Sequence, residues 1–279
     1  MITCEMDRLT PSARRLVKHR VASRLHAKDA TLFSFSPEAQ ACAEHFMGWT
    51  DLSSNPPTPP ADIQRLADDL VESGITHVVL VGQGGSTQAP MTITKYNKQD
   101  DSNRVGFKTI DSDSPVRVRE LMATINPATT LFIVTTKSGS TIEPRLMLLA
   151  LRAELAKLMP PEEIPSHLVA ITDPGSPMDE QAQREHWRAV LYGEPTVGGR
   201  FSAMSVFALF PAALAGVNLE TVMDCARQAE QRCAEDRIDN PAIVLAAFLY
   251  DNYLAGRDKF SFLTPKRGRV LGLWIEQLV

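Results

Sequence analysis

The chain has 279 residues, 44% of them hydrophobic and 22% charged, with 29 Lys and Arg against 33 Asp and Glu. That balance excludes a disordered chain, which lacks the apolar surface to offset the entropy of ordering. A formal net charge of -4 excludes a general polyanion-binding surface for nucleic acid or an anionic membrane. The longest apolar stretch, Met204 to Val217, is broken by Ser205 and Pro211 and falls short of the roughly 20 residues that span a bilayer. Glu5, Asp7 and Arg8 stand where a secretory leader has its apolar core. The expected location is therefore cytoplasmic, with no membrane partner. Cys4, Cys42, Cys225 and Cys233 show no C-x-x-C or C-x-x-H spacing, so free thiols are expected and no metal site.

From Leu9 to Ala30 the sequence is basic, with Leu16, Val17, Val21 and Leu25 at helical spacing. A second helix is expected over Pro37 to Trp49. The prolines from Pro56 to Pro60 then exclude regular structure. Residues 1–60 thus read as a helical segment and a linker. A helix over Ala61 to Ser73 should end at Gly74. Short β-branched runs then alternate with longer periodic ones, the pattern of a doubly wound α/β domain with a parallel sheet. Five strands are expected over residues 61–196: Thr76 to Val81, Val105 to Ile110, Thr130 to Thr135, His167 to Thr172 and Ala189 to Tyr192. Helices over Pro115 to Thr124 and Thr141 to Met159 lie between them. Residues 197–279 change character, with three helices (Ser202 to Gly216, Leu219 to Ala234, Pro241 to Leu254). A strand at Lys259 to Leu263 and a helix from Gly268 follow. The restarted β-α pattern suggests the start of a second sheet and a chain that is incomplete at its carboxyl end.

Three motifs carry chemistry. After the first strand comes Gly82-Gln83-Gly84-Gly85-Ser86-Thr87, where glycines let backbone N–H groups approach an anion at a helix start. Thr87 stands where a dinucleotide fingerprint needs its third glycine, and no P-loop pattern is present. A tight turn would need the same glycines. After the third strand, Thr136-Lys137-Ser138-Gly139-Ser140-Thr141 offers four hydroxyls and a lysine at a helix start, donors suited to a phosphate monoester. Helix capping accounts for one or two of those hydroxyls. In a parallel sheet both motifs open at the carboxyl ends of strands, where ligands bind. The third motif, Val197-Gly198-Gly199-Arg200-Phe201-Ser202, sets an arginine beside paired glycines, and could equally be a domain junction.

In this order and spacing the three motifs resemble the glucose-6-phosphate isomerase family, built of two sugar-isomerase (SIS) domains, over the chain from Ala61 onward. The resemblance implies that Gly84, Gly85, Ser86 and Gly199 contact a sugar phosphate. It further implies that Thr136, Lys137, Ser138 and Thr141 hold its phosphate and that Arg200 stabilises an enediolate. No cofactor or metal is implied, and a homodimer is expected of the complete enzyme. Gly272-Leu273-Trp274-Ile275-Glu276-Gln277 is similar to the start of the family's catalytic helix, with Gln277 as its substrate-contacting glutamine. The catalytic glutamate would then fall about two residues beyond Val279. Glu276, one step of about 100° around the helix from Gln277, should face away. The stretch from Leu9 to Leu32 is similar to the joining region of fused transaldolase and glucose-6-phosphate isomerase proteins.

The resemblance implies interconversion of glucose 6-phosphate and fructose 6-phosphate, impaired in the chain as it stands. The alternative is a non-catalytic SIS module that binds phosphosugars. A nicotinamide oxidoreductase would bind its cofactor at Gly82 to Ser86, against which the missing third glycine argues.

Overall fold

The computed structural model describes residues 10–97 and 104–279; Cys4 lies outside them. Five helices open on a Ser, Thr or Asn followed by proline. Such a proline sacrifices only an N–H that has no intrahelical partner. In chain order the helices are α1 (Pro11–Lys18), α2 (Val21–His26), α3 (Pro37–His45) and α4 (Pro60–Glu72). The expected helix over Leu9 to Ala30 is two, because Arg20 takes a left-handed conformation (φ 53°) between α1 and α2. Gly74 ends α4 at φ 97°, a value glycine adopts without steric cost.

The sheet follows with β1 (His77–Val81), α5 (Gly85–Asn97), β2 (Gly106–Ile110), α6 (Pro115–Met122), β3 (Thr130–Thr135), α7 (Ile142–Leu155), β4 (Leu168–Thr172), α8 (Pro177–Arg184) and β5 (Ala189–Tyr192). Its order is β2-β1-β3-β4-β5 and every pairing is parallel. All five expected strands are present. The central strands are nearly continuous apolar runs because helices cover both faces. On one face Val79, Val81, Phe132 and Val134 pack with Met147, Leu151 and Leu155 of α7. Each such side chain contributes about 1.5–3 kcal/mol by leaving water.

After a 3-10 turn at Gly199–Met204 come α9 (Val206–Leu214), α10 (Leu219–Cys233), α11 (Pro241–Leu254) and α12 (Leu271–Leu278). Every residue of α9 is buried, and it packs on α4, α5 and β1. The strand expected at Lys259 to Leu263 is not formed; that segment is irregular. Among residues 223–263, the unit to which it belongs, no strand is described for it to pair with, and an isolated strand leaves its backbone groups unsatisfied.

The chain forms two compact units, a sheet unit of residues 56–222 and 264–279 and a helical unit of residues 1–55 and 223–263. In the helical unit, Glu230 accepts hydrogen bonds from the backbone N–H groups of Ser53 (3.1 Å) and Ser54 (3.2 Å). Asp236 accepts from the backbone N–H of Ser23 at 3.1 Å. Among the described residues no helix is long and apolar enough to cross a membrane.

Candidate phosphosugar site

Strands β1 and β3 are neighbours with Val81 opposite Val134, so the Gly82 to Ser86 turn and the Thr136 to Thr141 loop leave the sheet side by side. Pro90, inside α5, explains how they are joined. Lacking an N–H, it leaves the Ser86 carbonyl without its helical donor, and the Thr135 hydroxyl takes that carbonyl at 3.4 Å. The same hydroxyl lies 3.3 Å from the Val81 carbonyl. A Cβ on Gly82 would overlap the Thr135 side chain and come within 2.9 Å of its carbonyl. Thr135 is a site-building residue that the motif reading passed over as mere strand.

Two further segments close on the turn. Gly84 has φ 61°, and a Cβ there would stand 2.8 Å from Gln277 Nε2. A Cβ on Gly85 would stand 2.7 Å from the Gly199 carbonyl oxygen. The indole N–H of Trp274 donates to the Arg200 carbonyl at 3.4 Å. Gly84, Gly85, Gly199, Arg200 and Gln277, from three distant parts of the sequence, thus sit together within the sheet unit. The Arg200 side chain is exposed and forms no ion pair with a described residue. Glu276 is exposed, one helical step from Gln277.

The loop after β3 behaves differently from a set of helix caps. Thr141 occupies the N-cap of α7 without a side-chain capping bond. Its hydroxyl lies 3.4 Å from that of Ser138, which is 2.9 Å from that of Ser140. The three are exposed and gathered at the positive end of a helix. Gly139, at φ 66°, bridges them; a Cβ there would stand 2.7 Å from the Ser176 side chain and 2.8 Å from the Met178 nitrogen, so a bulkier residue does not fit. Thr136 is buried and its hydroxyl has no hydrogen-bond partner, as is true of the Gln277 amide oxygen. Buried polar atoms left unpaired are costly; a ligand's phosphate oxygen is a natural acceptor for the Thr136 hydroxyl, and a ligand's hydroxyl a natural donor to the Gln277 amide oxygen.

Lys137 does not share this arrangement. Its ammonium pairs with Asp173, just past β4, and donates to the Glu194 carbonyl at 3.1 Å and the Pro195 carbonyl at 3.5 Å, past β5. Those three acceptors use its three donors. It fastens the ends of β3, β4 and β5 and does not project among the hydroxyls. Asp173 was not among the motif residues; its only signal is its place at a strand's carboxyl end, beside the strand that carries Lys137. The arrangement offers a phosphate monoester neutral O–H and N–H donors, with an amide and an uncommitted guanidinium nearby.

Residues 69–261 match the family model for phosphoglucose isomerase. The chain belongs to that family. Curated members of the phosphoglucose isomerase family include a glucose-6-phosphate isomerase from Carboxydothermus hydrogenoformans. It is 31% identical over 210 residues, 72% of this chain and 45% of that protein. One from Rubrobacter xylanophilus is 30% identical over 189 residues, 66% of this chain and 44% of that protein. The chain thus spans about half the length of the curated relatives it matches. Among solved structures, a hypothetical protein from Thermus thermophilus superposes with a TM-score of 0.75 at 24% identity, covering 97% of this chain and 62% of that one. A glucose-6-phosphate isomerase from Chlamydia trachomatis gives 0.64 at 20% identity, covering 88% of this chain and 49% of that one. These two carry the fold across almost the whole chain.

Proposed function

We propose that this chain carries the phosphosugar-binding half of a glucose-6-phosphate isomerase, an enzyme that interconverts glucose 6-phosphate and fructose 6-phosphate. The observation that carries the reading is the cluster of Ser138, Ser140 and Thr141 hydroxyls at the start of α7, with Thr141 making no side-chain capping bond. In this reading they and the Thr136 hydroxyl hold the phosphate, helped by N–H groups of the α7 first turn. Gly84, Gly85, Ser86 and Gly199 leave room for the sugar, and Gln277 supplies amide hydrogen bonds to it. The reaction moves a proton between C2 and C1 of the open sugar through an anionic enediolate, and Arg200 is the fixed cation that lowers that anion's energy. The proton carrier is a carboxylate. Glu276 is turned outward and is not placed to be that carboxylate.

Thermal unfolding with fructose 6-phosphate, and with fructose as the control, tests the reading. A ligand that binds only the folded state stabilises it by about 2.7 kcal/mol at a hundredfold excess over Kd. The expected result is a rise in midpoint with fructose 6-phosphate alone, lost in a Ser138→Ala/Thr141→Ala variant. A cooperative transition indifferent to the phosphosugar would overturn it.

A further inference from the structure

Every residue placed in the phosphosugar site belongs to the sheet unit. Within that unit α1, α2 and α11 border a groove of about 640 Å³, within the roughly 300–1,000 Å³ range of small-molecule sites. Leu16, Val21 and Leu32 give it an aliphatic lining. Phe35, 99% exposed, also lines it.

The carboxylates nearest the groove stand behind its lining, Asp29 on Arg24 and Asp251 on the Ser12 hydroxyl. No Asp or Glu is among the residues lining it, whereas Arg15 and Arg24 are. The two arginines are not equivalent. Arg24 donates from Nε to Asp29 at 2.7 Å and from a terminal nitrogen to Thr31 at 2.8 Å, so its charge is already matched. Arg15 has no ion pair with any described residue. One uncompensated guanidinium beside an aliphatic surface suits an anion of single charge on an apolar body. A phosphate dianion would need a second free cation, and a sugar would bring hydroxyls that the aliphatic lining cannot satisfy.

We propose that this groove is a second ligand site, separate from the phosphosugar site, for an organic carboxylate with an aromatic or branched aliphatic body. The planar fork of Arg15 takes the carboxylate through paired N–H donors. The body lies against Leu16, Val21 and Leu32, with Phe35 alongside it.

Isothermal titration of the full chain with 1-naphthoate, its neutral amide 1-naphthamide, and acetate tests the proposal. Naphthoate should bind at one site, with the amide and acetate each weaker by about tenfold or more, the scale of a lost charge-assisted hydrogen bond or a lost apolar body. Arg15→Ser should cost a similar factor. Ala246→Trp, at an exposed α11 residue lining the groove, should abolish binding while keeping every charge. Neither substitution touches the phosphosugar site, so stabilisation by fructose 6-phosphate should be the same in both variants as in the parent. Absence of naphthoate binding at millimolar concentration, equal binding of the amide, or naphthoate affinity unchanged in both variants would each overturn the proposal.

Discussion

Gly84 and Gly85 are adjacent, yet a methyl group should act differently at each. At Gly85 it meets the Gly199 carbonyl, which is backbone and cannot step aside, so Gly85→Ala is expected to cost about 1–3 kcal/mol as overpacking does and to weaken phosphosugar binding. At Gly84 the neighbour is the flexible end of Gln277, and the cost is mainly the left-handed backbone, about 1–2 kcal/mol. Chemical denaturation measures both, and a Gly85→Ala variant as stable as the parent would contradict the close packing of turn and Gly199. Lys137 permits a similar separation of roles. Lys137→Met strands the Asp173 carboxylate, one oxygen of which already lacks a partner, and should cost about 1–3 kcal/mol. Lys137→Met/Asp173→Asn should recover part of that loss. If Lys137→Met left stability untouched and only removed phosphosugar binding, the ammonium would be a ligand group after all. The hydroxyl loop was legible because its members are consecutive. The Lys137–Asp173 pair was not, because it depends on which strand lies beside which, a fact of register and not of local sequence.

Helix starts were the most legible elements. The starts expected at Pro37, Pro115 and Pro241 are those of α3, α6 and α11, each behind a Ser or Asn, a local signal of polar cap and fixed φ; the same signal at Thr10-Pro11 and Ser176-Pro177 went unused. The break at Arg20 was hidden, since the apolar spacing runs through it and only the backbone turns. The Lys259 to Leu263 alternation has the opposite failing, being a sound local pattern without a neighbour. Helix α8 is tied to α7 through Glu185, which accepts from Trp187 and Gln181 at 3.0 Å and pairs with Arg152. Burial raises the pKa of Glu185, but the bonds from Trp187, Arg152 and Gln181 outweigh it and hold the carboxyl below its ordinary value. A lowered native pKa means stability that is present above the ordinary glutamate range and is lost as pH falls through the native value. Glu185→Gln should therefore flatten the acid side of the stability profile of the chain. An unchanged slope in acid denaturation would refute the contribution.

At the scale of the molecule, the helical unit leaves apolar side chains in water: Phe248, Tyr253, Leu254, Phe260, Phe262 and Leu263 are all exposed. Phe260 and Phe262, with ring centroids 6.4 Å apart, sit in the irregular segment with strand-like alternation, the combination that promotes pairing between chains. Phe260→Lys/Phe262→Lys should reduce self-association in light scattering at high concentration without lowering the unfolding midpoint. Equal scattering from both proteins would show that the segment is not the adhesive one. The two units also differ in how their sequence is distributed. The sheet unit is nearly continuous along the chain, whereas the helical unit joins the first 55 residues to residues 223–263. The bonds from Ser53 to Glu230 and from Ser23 to Asp236 cross 177 and 213 residues. A ribosome adding about 5–20 residues per second needs roughly 10–40 s to make the longer interval. Throughout that time the opening helices have emerged without the partners that hold them, while the sheet behind them is completed. Residues 10–55 are thus made well before the residues that hold them, and over that interval their apolar faces have only water or a transient partner to meet.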